Sequence, residues 1–371
     1  MARSYRSRLL MAIFFSLWAS ATTALAGDQP IAERGHIVML SVGAEENPFW
    51  GGLTAVMEVA AGGLGMDVEA FYGMNAEHIE ATLTEVLARD KKPDGIVFSH
   101  IPGLSMKLLE KTEARQVPTV MINSGLTGDE QSLAAQRFDY WLGQITPPDE
   151  QIGYLVGQHL LDAALAKNLT DAAGQINIIA LSGAERDLPA KARNAGLRNV
   201  LNDAPQLHLL ELISTDWSAD SAGENLQKSL ERHPNVQGIW TASGLMLAGI
   251  LPALEAHGKT PGDDVVISTL GWTEGSLEAI KAGKVSADVG GHFLEGAWAA
   301  VVLYDHWQGV ASNKNIIMHS PVVTIGHDQV QKYRNALRES DWARVNWEQF
   351  SRVQNPQLEE YFFAIDRLLG F

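Results

Sequence analysis

The sequence predicts an α/β protein built from two similar halves. Short β-branched apolar runs alternate with amphipathic stretches, and the alternation restarts after a polar break at Thr146-Pro147-Pro148-Asp149-Glu150. Such alternation is the pattern of βαβ units and a parallel sheet. The 371 residues also suffice for about two cores of ~150 residues each.

In the first half, His36–Gly43 is an apolar run of the buried-strand type, Phe49–Leu64 reads as a helix and Asp67–Gly73 as a second strand. Ala76–Asp90 places Ile79, Leu83, Val86 and Leu87 on one helical face. Gly95–His100 and Thr119–Ser124 are further strands, with a helix around Ser105–Ala114 between them. In the second half the expected strands are Gln175–Leu181, His208–Thr215, Gly238–Ser243, Val265–Gly271 and Val285–Gly291. Helices are expected near Gln151–Lys167, Leu188–Asn202, Ala219–Arg232, Leu245–His257, Thr273–Ala282 and Phe293–Trp307, then a strand at Ser320–Ile325. Beyond His327, Val330–Leu337 and Leu358–Leu369 read as surface helices packed on one lobe.

Composition narrows the function. A chain that is 46% hydrophobic and 19% charged is not disordered. The absence of cysteine excludes disulfides, thiolate metal sites and a thiol nucleophile. A net charge of −16 argues against nucleic acid or an anionic membrane as partner, since both need a basic face. Arg3, Arg6 and Arg8 precede an apolar run, Leu9–Leu25, that ends in Ala24-Leu25-Ala26. This is the pattern of a secretory signal peptide, residues 1–26. Its removal takes three arginines and no acid, so −16 becomes −19. A bacterial periplasm is the expected location, because disulfides are permitted there but not required.

Catalytic signatures are missing. The histidines show no H-E-x-x-H spacing, and His292 with Glu295 is too small a set to hold a metal. No G-x-S-x-G elbow occurs. Gly258-Lys259-Thr260 resembles the end of a phosphate loop, but Ala253 stands where the first glycine belongs, and the segment follows a helix. No catalytic residue, metal or cofactor is expected, and an exported α/β enzyme is the weakest of the functional readings.

Open parallel sheets bind ligands outside the carboxyl ends of their strands. Those positions hold Asn47, Phe49 and Trp50, then His100, Asn123, Trp217, Ser243, Trp272 and His292.

Several segments carry a family resemblance. Asn47-Pro48-Phe49-Trp50 follows the first strand, Pro93-Asp94-Gly95-Ile96 leads into the third and Val117-Pro118-Thr119-Val120 into the fourth. Ala192-Arg193-Asn194-Ala195-Gly196-Leu197, His233-Pro234-Asn235-Val236-Gln237-Gly238-Ile239 and Ile280-Lys281-Ala282-Gly283-Lys284-Val285 follow in order. Over Gly35–His327 the sequence resembles the ribose-binding-like (type I) periplasmic binding proteins, whose relatives include autoinducer-2 receptors and sensor partners of membrane kinases. The resemblance implies two Rossmann-like lobes with parallel sheets, joined by a hinge of about three crossovers, with a ligand cleft between them that closes on binding. It implies an N-terminal lobe of 35–146 plus 292–320, a C-terminal lobe of 147–291 plus 321–327, and a tail of 328–371.

The resemblance places a polar contact on Asn47, aromatic walls on Phe49 and Trp50, and the aromatic of the second lobe on Trp217. Flat rings suit a sugar or other cyclic ligand, whose C–H faces stack on them. The family's polar clamps are replaced. Asn123 stands for an Asp, Lys191 for an Arg with Arg193 two residues on, and Ser243-Gly244 for Asn-Asp. Gly271 beside Trp272 stands for an Asp, and Gly291 beside His292 for a Gln. Fewer charge-assisted bonds favour a less hydroxylated ligand. An exposed His292 would make binding pH-sensitive. The resemblance implies a monomeric solute-binding protein that delivers a small ligand to an ABC permease. The alternative is a sensing subunit for a membrane histidine kinase or chemoreceptor.

Overall fold

A computed structural model describes residues 33–310, 315–336 and 342–369. The expected signal peptide, residues 1–26, lies outside them. Each lobe is a mostly parallel sheet flanked by helices. The first sheet contains β1 (Gly35–Leu40), β2 (Met66–Phe71), β3 (Gly95–Phe98), β4 (Thr119–Ile122) and β5 (Trp141–Thr146). Between them run α1 (Pro48–Gly63), α2 (Ala76–Ala88), α3 (Ser105–Ala114) and α4 (Gly128–Arg137). The second contains β6 (Ile176–Ser182), β7 (Leu207–Ser214), β8 (Gly238–Thr241), β9 (Val266–Leu270) and β10 (Ala287–Gly290). Its helices are α5 (Asp149–Ala166), α6 (Leu188–Asp203), α7 (Ala219–Arg232), α8 (Leu247–Ala256) and α9 (Glu274–Lys281). The chain then returns through α10 (Glu295–Trp307) to β11 (Ile316–His319) and β12 (Val323–Gly326).

The sheet orders are β11-β5-β4-β3-β1-β2 and β12-β10-β9-β8-β6-β7. All pairs are parallel except β10 with β12. Residues in the central strands, such as Gly95–Phe98 and Gly238–Thr241, are buried throughout, because helices cover both faces. The chain passes between sheets three times: from β5 into α5, from β10 into α10, and from β11 into β12. Helix α10 is buried from Glu295 to Asp305. Its approach to α1 depends on Gly296, where a Cβ would lie 2.3 Å from the Leu53 carbonyl oxygen.

Four features differ from the sequence expectation. β5 and β11 carry no strand reading in the sequence, β5 because Gly143 breaks its apolar run and β11 because it has only four residues. Gly143 sits at φ 139°, and β11 passes so close that a Cβ there would lie 2.0 Å from the Ile316 carbonyl oxygen. Helix α4 buries only Ala134, so it lacks an apolar stripe.

The tail is the fourth. α11 (His327–Ala336) is helical as expected, whereas the helix read at Leu358–Leu369 is confined to α12 (Ile365–Leu369). The rest is not a surface feature: Trp342, Trp347, Phe350, Phe363, Ile365 and Leu368 are all buried. Burial of each such side chain contributes about 2 kcal/mol, which explains why the chain follows its aromatic anchors instead of continuing a helix.

Candidate ligand-binding site

The site is assembled where the strand ends meet the hinge. Asn47 caps α1, accepting hydrogen bonds from the Phe49 amide (3.0 Å) and the Trp50 amide (3.2 Å). Pro48 at the first helical position suits this start, since its missing N–H would have no partner there. The cap occupies the Asn47 oxygen and fixes the two aromatic residues. Phe49 lies 5.2 Å from the Trp50 ring, edge-on, and 5.0 Å from the His292 imidazole. Trp50 lies over Gly43, where a Cβ would sit 1.8 Å from the indole.

Trp217 is seated in the same way in the second lobe. It rests on Gly183, where a Cβ would come within 2.0 Å of the ring. Its backbone is left-handed, with φ 72°, a strained conformation for a bulky residue. Three contacts hold it there. Its amide donates to Thr215 Oγ1 at 3.1 Å, its indole N–H donates to Asp187 Oδ2 at 2.8 Å, and the Arg193 guanidinium lies 5.6 Å from the ring centroid.

Arg193 is the centre of the hinge. Its Nε donates to Asp149 Oδ1 at 2.7 Å and its Nη1 to the Ala242 carbonyl at 2.9 Å. It thereby joins α6, the end of β8 and the first crossover. Burial raises the Asp149 carboxyl above its usual range, and Arg193 pulls against that shift. Glu295, at the second crossover, accepts from the Asn123 amide (2.6 Å) and from Ser320 Oγ (2.5 Å) at the third. Burial holds its carboxyl well above the ordinary range, opposed by those two hydrogen bonds. One buried arginine thus serves a region with two buried acids.

The structure gathers Asn47, Phe49, Trp50 and His292 into one group, and Arg193 with Trp217 into another. Asn123 (φ 62°) joins the hinge through its amide. His100 is half-buried beside it, its amide donating to the Ser124 carbonyl at 2.8 Å, and burial lowers its pKa. Ser243 caps the turn before α8, accepting from the Leu245 amide at 3.3 Å. Lys191 is not gathered in. Two residues from Arg193, it lies on the opposite face of α6, exposed and grouped with Glu185, Asn194, Arg198 and the edge strand β7.

Trp272 also departs from the expected pocket. It is buried, with φ 54°, and its amide and indole N–H both donate to Asp288, at 3.0 Å to Oδ2 and 3.2 Å to the carbonyl. Its ring meets Tyr333 of α11 at 5.2 Å. His292 does not titrate near neutrality as an exposed histidine would, because burial, with Arg193 adding to it, pushes its pKa down to about 3. Gly43, Gly183, Asp149, Asp187, Glu295 and Ser320 carry the arrangement without having been singled out in the sequence. Of these, Gly183 directly follows β6, at the kind of strand end where such sheets bind ligands.

Two parallel α/β lobes, three crossovers and rings fixed at the strand ends define a two-lobed protein with a ligand cleft. Residues 37–311 match the family model described as periplasmic binding protein domain, and the chain belongs to that family. It is similar to a D-apiose import binding protein of Paraburkholderia graminis, 22% identical over 273 residues, covering 73% of this chain and 80% of the relative. It is also similar to the D-allose-binding periplasmic protein of Escherichia coli, 24% identical over 246 residues, covering 66% and 75%. Among solved structures, a periplasmic sugar-binding protein from Pseudomonas fluorescens superposes with a TM-score of 0.80 at 25% identity, covering 91% of this chain and 99% of that one.

Proposed function

We propose that this protein binds a small neutral sugar or a related cyclic ligand in the periplasm and hands it to an ABC importer. The observation that carries the reading is the pair of glycine-seated indoles, Trp50 in one lobe and Trp217 in the other. The Trp217 indole is held by Asp187 and the Trp50 backbone by the Asn47 cap, so the rings are preorganised for stacking on a ring-shaped ligand. The names of the relatives, which bind apiose and allose, support a sugar. The charged groups beside the rings are already engaged, Asp187 by the Trp217 indole. His292 is uncharged, and Arg193 is engaged by Asp149 and Ala242. Lobe closure about the three crossovers would bring the two aromatic groups onto the ligand.

The test is calorimetry and thermal unfolding of residues 27–371 with D-apiose, D-allose, other pentoses and hexoses, and cyclic polyols. A ligand at 100 times its dissociation constant adds about 2.7 kcal/mol of stability. A hit that Trp50→Ala and Trp217→Ala each abolish supports the reading. A folded protein that responds to none of them sinks it.

A further inference from the structure

We propose that two tail segments, residues 327–336 and 342–369, form a strap across the hinge that holds the lobes in their open relation; the idea rests on the cleft being a site that closes. The tail is fixed to both lobes. On the second lobe, α11 packs on α9, with Tyr333 on Trp272 (5.2 Å) and Arg334 paired with Glu278. On the first lobe, Trp298 of α10 receives Trp347 at 6.0 Å, Phe350 at 5.0 Å and Phe363 stacked at 4.5 Å. Asp305, also on α10, accepts from the Arg352 amide at 2.7 Å and the Tyr361 hydroxyl at 3.0 Å.

Between these anchors the rings are continuous. Trp272 meets Phe293 at the second crossover (6.5 Å), Phe293 meets Trp342 (5.9 Å) and Trp342 meets Trp347 (6.5 Å). Ile365 fills the space beside Gly291, where a Cβ would lie 2.5 Å from its Cδ1. Rotating one lobe against the other must change the separation of Trp272 from Trp298. A tail bonded to both resists that change, because close-packed rings have few alternative arrangements.

The geometry so held has an unbridged cleft. Among the described residues, no hydrogen bond joins the strand-end loops of the first lobe, 44–50 and 100–103, to those of the second, 183–187 and 216–218. The strap therefore stabilises the open form, and ligand binding must work against it. A protein whose competent state is rarely populated binds with an affinity reduced by that fraction.

The chain has no cysteine, so Glu46→Cys and Glu185→Cys, both at exposed strand-end positions, accept a spin-label pair without background. Distances are measured by pulsed electron resonance on ligand-free protein, in the parent and in Tyr333→Leu, Trp342→Leu and Arg334→Ala. Loosening the strap is expected to raise the short-distance population at least threefold with no ligand present. A variant that melts cooperatively yet keeps the parent distribution, or shifts to longer distances, overturns the proposal. Arg334→Ala touches only the surface ion pair and carries the test if the core variants fail to fold. A parent distance that no sugar shortens counts against the ligand reading and leaves the ligand-free comparison standing.

Discussion

Arg193 and Asp149 form a buried ion pair, 2.7 Å from Nε to Oδ1, with side chains 6% and 11% exposed. It fastens α6 to the entry of α5, at the first crossover. A buried carboxylate left without its partner costs about 3–5 kcal/mol. Arg193→Leu is expected to lower the melting temperature by at least 6 °C and to abolish binding, since Trp217 loses its cationic neighbour. Asp149→Asn keeps the shape and one acceptor, so its loss should be well under half as large. Equal losses, measured by thermal unfolding, would show that the charge of Asp149, and not its shape, is what holds the pair.

The glycine seats make a separate prediction. Gly183→Ala deletes no contact, but its Cβ would fall 2.0 Å from the Trp217 ring. The ring must leave its position, so affinity should fall about 30-fold, matching a hot-spot loss of ~2 kcal/mol. Intrinsic fluorescence should shift as the indole leaves Asp187. Unchanged affinity would remove Trp217 from the site.

Asp288 and His292 predict opposing pH dependences. Asp288 is buried, accepts from Ser276 and the Trp272 amide, and is pushed up to about 7 by burial. Its ordinary value is 3.8, so the unfolded chain releases this proton first. The stability it contributes is lost as pH rises from about 4 to 7. His292 falls from 6.5 to about 3, so the unfolded chain takes up its proton first, and stability is lost as pH falls through that interval. The two slopes oppose each other between about 4 and 6.5. Asp288→Asn should remove one and leave a curve that rises with pH across this range, measured by urea unfolding at each pH. A variant curve parallel to the parent's would refute the assignment.

His292 itself should show no imidazole titration above pH 5 by NMR. Ligand affinity should accordingly lack a step near 6.5 attributable to this residue. A midpoint near 6.5 would mean that the ring is hydrated and that its contact with Phe49 is not maintained.

Much of the architecture was legible from local pattern. The all-buried runs Gly95–Phe98 and Gly238–Thr241 read as interior strands, and the α/β class followed from their spacing. β5 escaped because Gly143 and the buried Gln144 interrupt its apolar run. Trp50 and Trp217 could be singled out because strand ends are where such sheets bind ligands. Their supports could not. Arg193 meets Asp149 across 44 residues and Asn123 meets Glu295 across 172, and no local periodicity records such pairs. Trp272 misled because a strand end looks alike whether its ring turns to the cleft or to α11, and only the tail decides.

Helix α10 has a consequence for the order of events in folding. Its Trp298, Val301 and Val302 are fully buried, and it packs on β1, β4 and β5, strands made some 150 to 260 positions earlier in the chain. The first lobe cannot complete its interior while only its own contiguous stretch has been synthesised. Closing contacts of such sequence separation is slow. The N-terminal half therefore acquires its final packing only when the end of synthesis is near.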